Sequence, residues 1–213
     1  MKLYSYWRSS AAYRVRIALH LKQLSFETIP VHLLKDGGQQ HHADYQLLNP
    51  AELVPVLQDD TVSLNQSLAI IEYLDEVYPQ PALLPAAAAD RAKVRALALD
   101  IACDIHPLNN LRVLQYLTGP LALTEQQKLG WITHWLTAGF SALEQRLMQH
   151  AGEFSFGDSV SLADICLVPQ VYNALRFNVD LHPYPLINRI YHHCQQFAAF
   201  ALAAPEQQPD AAL

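Results

Sequence analysis

The spacing of apolar residues changes character near residue 80, and that change limits the architecture to alternating strands and helices before it and helices alone after it. Residues 2–7 are a short aromatic run with polar neighbours, a strand pattern. From Ala11 the apolar positions fall at Ala11, Val15, Ala18, Leu19 and Leu21, one face of a helix. Ser9 and Ser10 lie between the two. Hydroxyls at a helix start satisfy unpaired backbone N–H groups, and the same N-terminus attracts an anion through its dipole. Two readings stand side by side: an N-cap at Ser9 or Ser10 with a solvated Arg8, or a seat for a thiolate or carboxylate.

A second strand is expected over 25–31, and the glycines of Lys35-Asp36-Gly37-Gly38-Gln39-Gln40 predict a mobile loop. A short helix over 44–48 stops before Asn49-Pro50, because the residue before proline avoids the helical region. Residues 54–57 and 61–64 flank the polar Gln58-Asp59-Asp60 as a hairpin, and 66–74 follow as a helix with Ser67 as a capping hydroxyl. The order βαβ then ββα fits a small mixed sheet with helices on both faces, the plan of thioredoxin-like domains, over residues 1–80.

Pro79-Gln80-Pro81 and Pro85 read as a linker into an all-helical domain over 87–213. Helical spacing runs over 91–116 with a kink at Pro107, and over 125–149 with Trp131, Trp135 and Phe140 expected inside. Ser161-Leu162-Ala163-Asp164 is a capping box opening a nearly all-apolar helix, the expected core of this half. Pro183-Tyr184-Pro185 precedes a last helix over 186–200, and the polar tail from Pro205 is expected to fray.

Composition narrows the function classes. A formal charge of -6 with scattered Lys and Arg offers no basic patch for nucleic acid and no polybasic membrane anchor. Without a long apolar run or a signal-like segment after Met1, the expectation is a soluble cytoplasmic protein. Cys103, Cys166 and Cys194 lack CxxC spacing, and the adjacent pairs His41-His42 and His192-His193 point opposite ways, so no metal site is expected.

Several blocks together carry a resemblance. Tyr6-Trp7-Arg8-Ser9-Ser10, followed by Arg14-Val15-Arg16-Ile17-Ala18-Leu19, is joined by Asp36-Gly37-Gly38-Gln39-Gln40, by Leu48-Asn49-Pro50 with Val54-Pro55, and by Gln66-Ser67-Leu68-Ala69-Ile70. Val168-Pro169-Gln170, Arg176-Phe177 and Val179-Asp180-Leu181 complete the set. With these the chain resembles the zeta-class glutathione transferases, the family of maleylacetoacetate and maleylpyruvate isomerases, over essentially its whole length. The resemblance implies α/β plus all-α glutathione transferase architecture, glutathione as cofactor, a small dicarboxylate substrate and a homodimer, although dimerisation does not follow from the residues themselves.

For the cofactor, the resemblance implies Ser9 at the sulfur with Ser10 beside it. Val54 before a cis Pro55 would pair with the cysteinyl backbone, Gln66 and Ser67 would take the γ-glutamyl carboxylate, and Gln40 the glycine end. Ala11 stands where the family has a cysteine, so that position donates no side-chain hydrogen bond. For the substrate, the resemblance implies Arg8 and Arg176 as carboxylate grips, matching the bidentate guanidinium fork. His106, Asn109 and Asn110 are further candidates for substrate contact, against a structural role beside the kink. The implied reaction is cis/trans isomerisation of a maleyl keto acid by thiolate addition, rotation and elimination. A glutathione-dependent transferase or dehalogenase of α-halo acids, and a non-catalytic glutathione-binding protein, are the alternatives.

Overall fold

The computed structural model describes residues 1–211. The chain divides into two compact units, residues 1–82 with 196–211, and Leu83–Gln195. This differs from the expected division into 1–80 and 87–213, because the final segment belongs with the first unit.

In that first unit β1 (Lys2–Ser5), β2 (Glu27–Pro30), β3 (Val56–Gln58) and β4 (Ser63–Asn65) form one sheet in the order β2-β1-β3-β4. β1 pairs parallel with β2 across the crossover helix α1 (Ser10–Leu21), and antiparallel with β3, which pairs antiparallel with β4. Side chains alternate across the sheet. Leu3 and Leu57, opposite one another and fully buried, share one face. Tyr4 and Val56 share the other, where Val56 clusters with Tyr6, Val31 and Val54 and with Tyr45 from α2 (Ala43–Leu48). The helix α3 (Ser67–Val77) packs on α1. Lys22 closes α1 with its ammonium bonded to Asp75 at 2.8 Å and to the carbonyls of Tyr78 and Pro81.

The second unit holds α4 (Ala88–Leu99), α5 (Leu111–Thr118), α6 (Glu125–His150), α7 (Leu162–Arg176) and α8 (Pro185–Cys194). The expected helix over 91–116 is interrupted over a longer stretch than a kink, first by a wide π-type turn over Asp100–Ile105 and then by a 3₁₀ turn over His106–Asn109. Pro107 supplies no N–H and crowds the preceding turn, which the widened backbone accommodates. Phe140 is buried as expected, whereas Trp131 and Trp135 are only half-buried, edge to face at 5.7 Å, with Trp131 Nε1 donating to the Leu108 carbonyl. Gly139 on α6 lets Ile105 approach, since a Cβ there would overlap the Ile105 side chain.

α7 is the core of this unit, buried from Leu162 through Val171. Its capping box forms as the sequence predicts: Asp164, fully buried, accepts from the Ser155 N–H at 2.7 Å and from the Ser161 N–H at 2.8 Å. Burial pushes the Asp164 carboxyl above its ordinary range against these hydrogen bonds. Glu144 performs a similar service from a distance: its carboxylate accepts from the N–H groups of Leu186 (2.7 Å) and Ile187 (3.0 Å) at the start of α8.

The single expected last helix is two, α8 and α9 (Ala198–Ala203), and α9 packs on α1. The cause is local to α1. Arg16, buried in that helix, donates its Nε to the Ala203 carbonyl at 2.9 Å, and Tyr13 Oη donates to the Phe200 carbonyl at 3.3 Å. The orphan carbonyls at the end of a helix are ready acceptors for such groups. Nor does the tail fray over its described residues. It makes a turn at Pro205–Gln207, Gln208 Nε2 donates to the Leu202 and Ala204 carbonyls, and Asp210 is buried.

Candidate active site

Strand register gathers the first unit's candidate residues at one end of its sheet. Tyr4 lies opposite Val56, and Val56 opposite Asn65, so the chain leaves β1 at Tyr6–Ser10, enters β3 through Val54–Pro55 and leaves β4 at Gln66–Ser67 on the same edge. Parallel pairing brings the chain after β2, from His32 to Gln40, to that edge as well.

Ser9 is the N-cap of α1, with extended backbone and its Oγ accepting from the Ala12 N–H at 3.2 Å. Accepting that bond uses an oxygen lone pair and leaves the hydroxyl proton to donate elsewhere. Ser10 is the first helical residue and is buried. Arg8 is held by its own neighbours: Nη2 and Nε donate to Tyr6 Oη at 3.0 and 3.3 Å, and the guanidinium lies 4.7 Å from the Trp7 ring centroid. Stacking and hydrogen bonding of this kind restrict a long side chain that would otherwise sample many rotamers.

The Val54–Pro55 peptide is cis, and both residues are buried. Gln66 is the N-cap of α3 at φ 66, a conformation costing a residue with a Cβ about 1–3 kcal/mol. Ser67 is therefore not the cap that the sequence suggests. It is the first residue of the helix, and its buried Oγ accepts from Arg14 Nη1 at 3.3 Å.

The glycine-bearing loop, expected to be mobile, is tied down at both ends. Gln39 Oε1 accepts from the His32 N–H at 2.8 Å, while His32 Nδ1 accepts from the N–H groups of Leu34 and Lys35. Desolvation and the Lys35 charge lower the His32 pKa below 6.5, in keeping with a ring nitrogen used as an acceptor. Gly38 takes φ 100, a backbone conformation that residues with a Cβ rarely adopt. Gln40 is 5 % exposed, and its Oε1 is buried without a hydrogen-bond partner.

In the second unit His106 opens the 3₁₀ turn, Asn109 ends it, and the Asn109 amide is buried with neither polar atom hydrogen-bonded. The Asn110 side chain caps α5 by accepting from the Arg112 N–H at 3.2 Å. Arg176 is the exposed last residue of α7, its guanidinium 4.6 Å from the Phe177 ring centroid.

Sequence reasoning missed Tyr6 as the partner of Arg8, the two buried arginines of α1, and Asp210. A signal for the arginines was present. Residues two apart on a helix point to different sides, so Arg14 and Arg16 cannot share one solvated stripe of a helix buried from Ala12 to Leu19.

A thioredoxin-like sheet with a serine-capped α1, a cis-proline segment and a strained start to α3 on one edge defines the glutathione transferase class, and a family profile described as the glutathione S-transferase N-terminal domain matches residues 3–82. Full-length comparison is narrower. A Vibrio cholerae protein named as a probable maleylacetoacetate isomerase is 58 % identical over 98 % of this chain and 97 % of its own length. A zeta-class bacterial maleylpyruvate isomerase solved in holo form is 48 % identical with a TM-score of 0.95, covering 99 % of both chains. A maleylacetoacetate isomerase from Methylobacterium extorquens AM1, solved with malonate and glutathione bound, is 40 % identical with a TM-score of 0.94 over 98 % of both chains. The chain belongs to the zeta-class glutathione transferases, in the family of maleylacetoacetate and maleylpyruvate isomerases.

Proposed function

We propose that this chain is a glutathione-dependent cis/trans isomerase converting a maleyl keto acid, maleylpyruvate or maleylacetoacetate, to its fumaryl isomer. The observation carrying the proposal is the convergence on one sheet edge of a serine-capped helix N-terminus, the Val54–Pro55 segment and the Gln66–Ser67 helix start. The residues fit glutathione. Its two carboxylates and peptide N–H groups match helix starts, backbone and amide side chains, and the buried Gln40 Oε1 is an acceptor awaiting a donor. When bound, glutathione supplies a thiolate that adds reversibly to the cis double bond, which then rotates as a single bond before elimination.

The chain's own residues prepare that chemistry. Ser9 donates its hydroxyl proton toward the sulfur while its oxygen caps α1, and Ser10 extends the same helix start. Val54 pairs through its backbone with the cysteinyl residue beside Pro55. Ser67, steadied by Arg14, and Gln66 receive the γ-glutamyl carboxylate. Arg8, already oriented by Tyr6 and Trp7, takes one substrate carboxylate and stabilises developing enolate charge, and Arg176 takes the other. His106, Asn109 and Asn110 are the further proposed substrate contacts. The substrate is a small dicarboxylate, and the protein acts as a cytoplasmic homodimer. Among the described residues no helix is long and apolar enough to cross a membrane.

The test follows the loss of maleylpyruvate and maleylacetoacetate absorbance with catalytic glutathione, for wild type and Arg176→Ala. Turnover without consumption of glutathione is expected. Loss of a bidentate carboxylate contact worth about 1.5–3 kcal/mol lowers kcat/KM by roughly 10- to 100-fold in the variant. No turnover of either substrate refutes the isomerase reading.

A further inference from the structure

The segment after α9 reaches the turn that carries Arg8 and Ser9. β1 ends at Ser5, whose carbonyl takes the last ladder bond from the Val31 N–H, so the Tyr6–Trp7 peptide lies beyond the sheet. Both of its polar atoms are held nonetheless. The Tyr6 carbonyl accepts from the Ser9 N–H at 2.9 Å and, more weakly, from Arg16 Nη1 at 3.5 Å. The Trp7 N–H donates to Asp210 Oδ2 at 2.9 Å, across 203 positions of sequence. Arg16 secures the next peptide as well, with Nη2 on the Trp7 carbonyl at 3.0 Å.

We propose that Asp210 is a positioning residue for the active-site turn, setting the place of Arg8 and Ser9 through the Trp7 amide. Asp210 is 1 % exposed, and its other oxygen, Oδ1, is buried without a hydrogen-bond partner, so the carboxylate is kept inside at an energetic cost. A tail needed only to cover α1 would do so with apolar residues. What the carboxylate supplies is an acceptor for a backbone N–H that the sheet cannot satisfy. The consequence passes to the site over two short steps. The Arg8 guanidinium rests on the Trp7 ring and on Tyr6 Oη, and Ser9 follows Arg8 directly, so displacement of the Trp7 peptide shifts both groups together. A displacement of about 1 Å in groups that position reactants can cost roughly 10²-fold in rate.

The proposal assigns the effect to the acceptor rather than to the charge, and Asp210→Ala compared with Asp210→Asn separates these. The amide oxygen of Asn still accepts from Trp7, while Ala does not. The expected result is a kcat/KM at least about 10-fold lower in Asp210→Ala, and recovery to within about threefold of wild type in Asp210→Asn. Equal damage in both variants, or an Asp210→Ala protein with wild-type kcat/KM and only a lowered Tm, overturns the proposal. The kinetic arm rests on the isomerase reading, so two further measurements stand apart from it. Glutathione affinity measured by calorimetry is expected to fall in Asp210→Ala and recover in Asp210→Asn. Hydrogen exchange at the Trp7 amide of the intact wild-type protein is expected to be slow, and fast exchange there overturns the proposal even if Asp210→Ala fails to fold. A wild type that turns over neither keto acid defeats the isomerase reading alone, and the Asp210 assignment is then decided by affinity and exchange.

Discussion

Ser9 caps α1 in the structure and, in the proposed function, also donates to the thiolate, and replacing it measures both jobs. In the structure its Oγ accepts from the Ala12 N–H at 3.2 Å, a cap whose loss costs about 1 kcal/mol. In a chain of 213 residues that lowers Tm by roughly 2–4 °C. The second job, the proposed donation to the thiolate of bound glutathione, would be worth about 1.5–3 kcal/mol as a charge-assisted bond. At about 1.36 kcal/mol per unit, its loss raises the bound thiol's pKa by roughly 1–2 units toward the free value of about 8.5. The sign follows directly. A thiol pKa depressed in the wild type keeps the reactive form present at lower pH, so Ser9→Ala shifts the kcat profile to higher pH. The loss is expected to be about 10- to 100-fold at pH 6 and to shrink to a few-fold near pH 9, where both proteins hold mostly thiolate. Ser9→Thr keeps the oxygen in both roles and stays near the wild type. Titration of the bound thiolate by ultraviolet absorbance, with kcat against pH, checks this. Superimposable profiles for wild type and Ser9→Ala, despite the lowered Tm, would refute the second job and leave Ser9 a cap only.

Two glycines on α6 give opposite expectations under thermal denaturation. Gly139→Ala forces a Cβ into Ile105 and destabilises by about 1–3 kcal/mol, whereas Gly130→Ala meets nothing nearby and stabilises by up to about 1 kcal/mol through helix propensity. Glu144→Ala removes the acceptor for two N–H groups at the start of α8 and is expected to cost about 2–4 kcal/mol in urea denaturation, with Glu144→Gln intermediate because its amide retains one accepting oxygen.

Much of the fold was legible because it rests on local periodicity. The strand-to-helix switch at Ser9, the proline stop after Leu48 and the capping box at Ser161 each follow from contacts within a few residues, and each has a distinct residue signature. The glutathione candidates were read differently. Gln40, Val54 and Gln66 look unremarkable in composition, and it was the resemblance that picked them out. Their common edge becomes evident only from strand register, which pairs Tyr4 with Val56 and Val56 with Asn65. What the sequence concealed lies where a polar side chain serves a distant backbone group. The polar composition after Pro205 suggested fraying, yet Gln208 and Asp210 are polar because carbonyls of α9 and the Trp7 amide need partners there.

The same logic explains why α1 can be so deeply buried while carrying two arginines. An apolar helix would bury as well, but it could not hold the peptides at the end of β1, which extend past the ladder and have no strand to pair with. Arg16 spends its donors on the carbonyls of Tyr6, Trp7 and Ala203 and on Ser5 Oγ, while Arg14 bonds the Ser67 hydroxyl at the start of α3. A guanidinium is suited to this task because its planar fork reaches several acceptors at once and stays charged, where a lysine would offer one mobile point of contact. Burying such a group is costly unless its donors are used, so the buried Arg16 and the turn it bonds imply one another. The helix proposed to present its N-terminus to the thiol thus also bonds the turn after β1 and the start of α3.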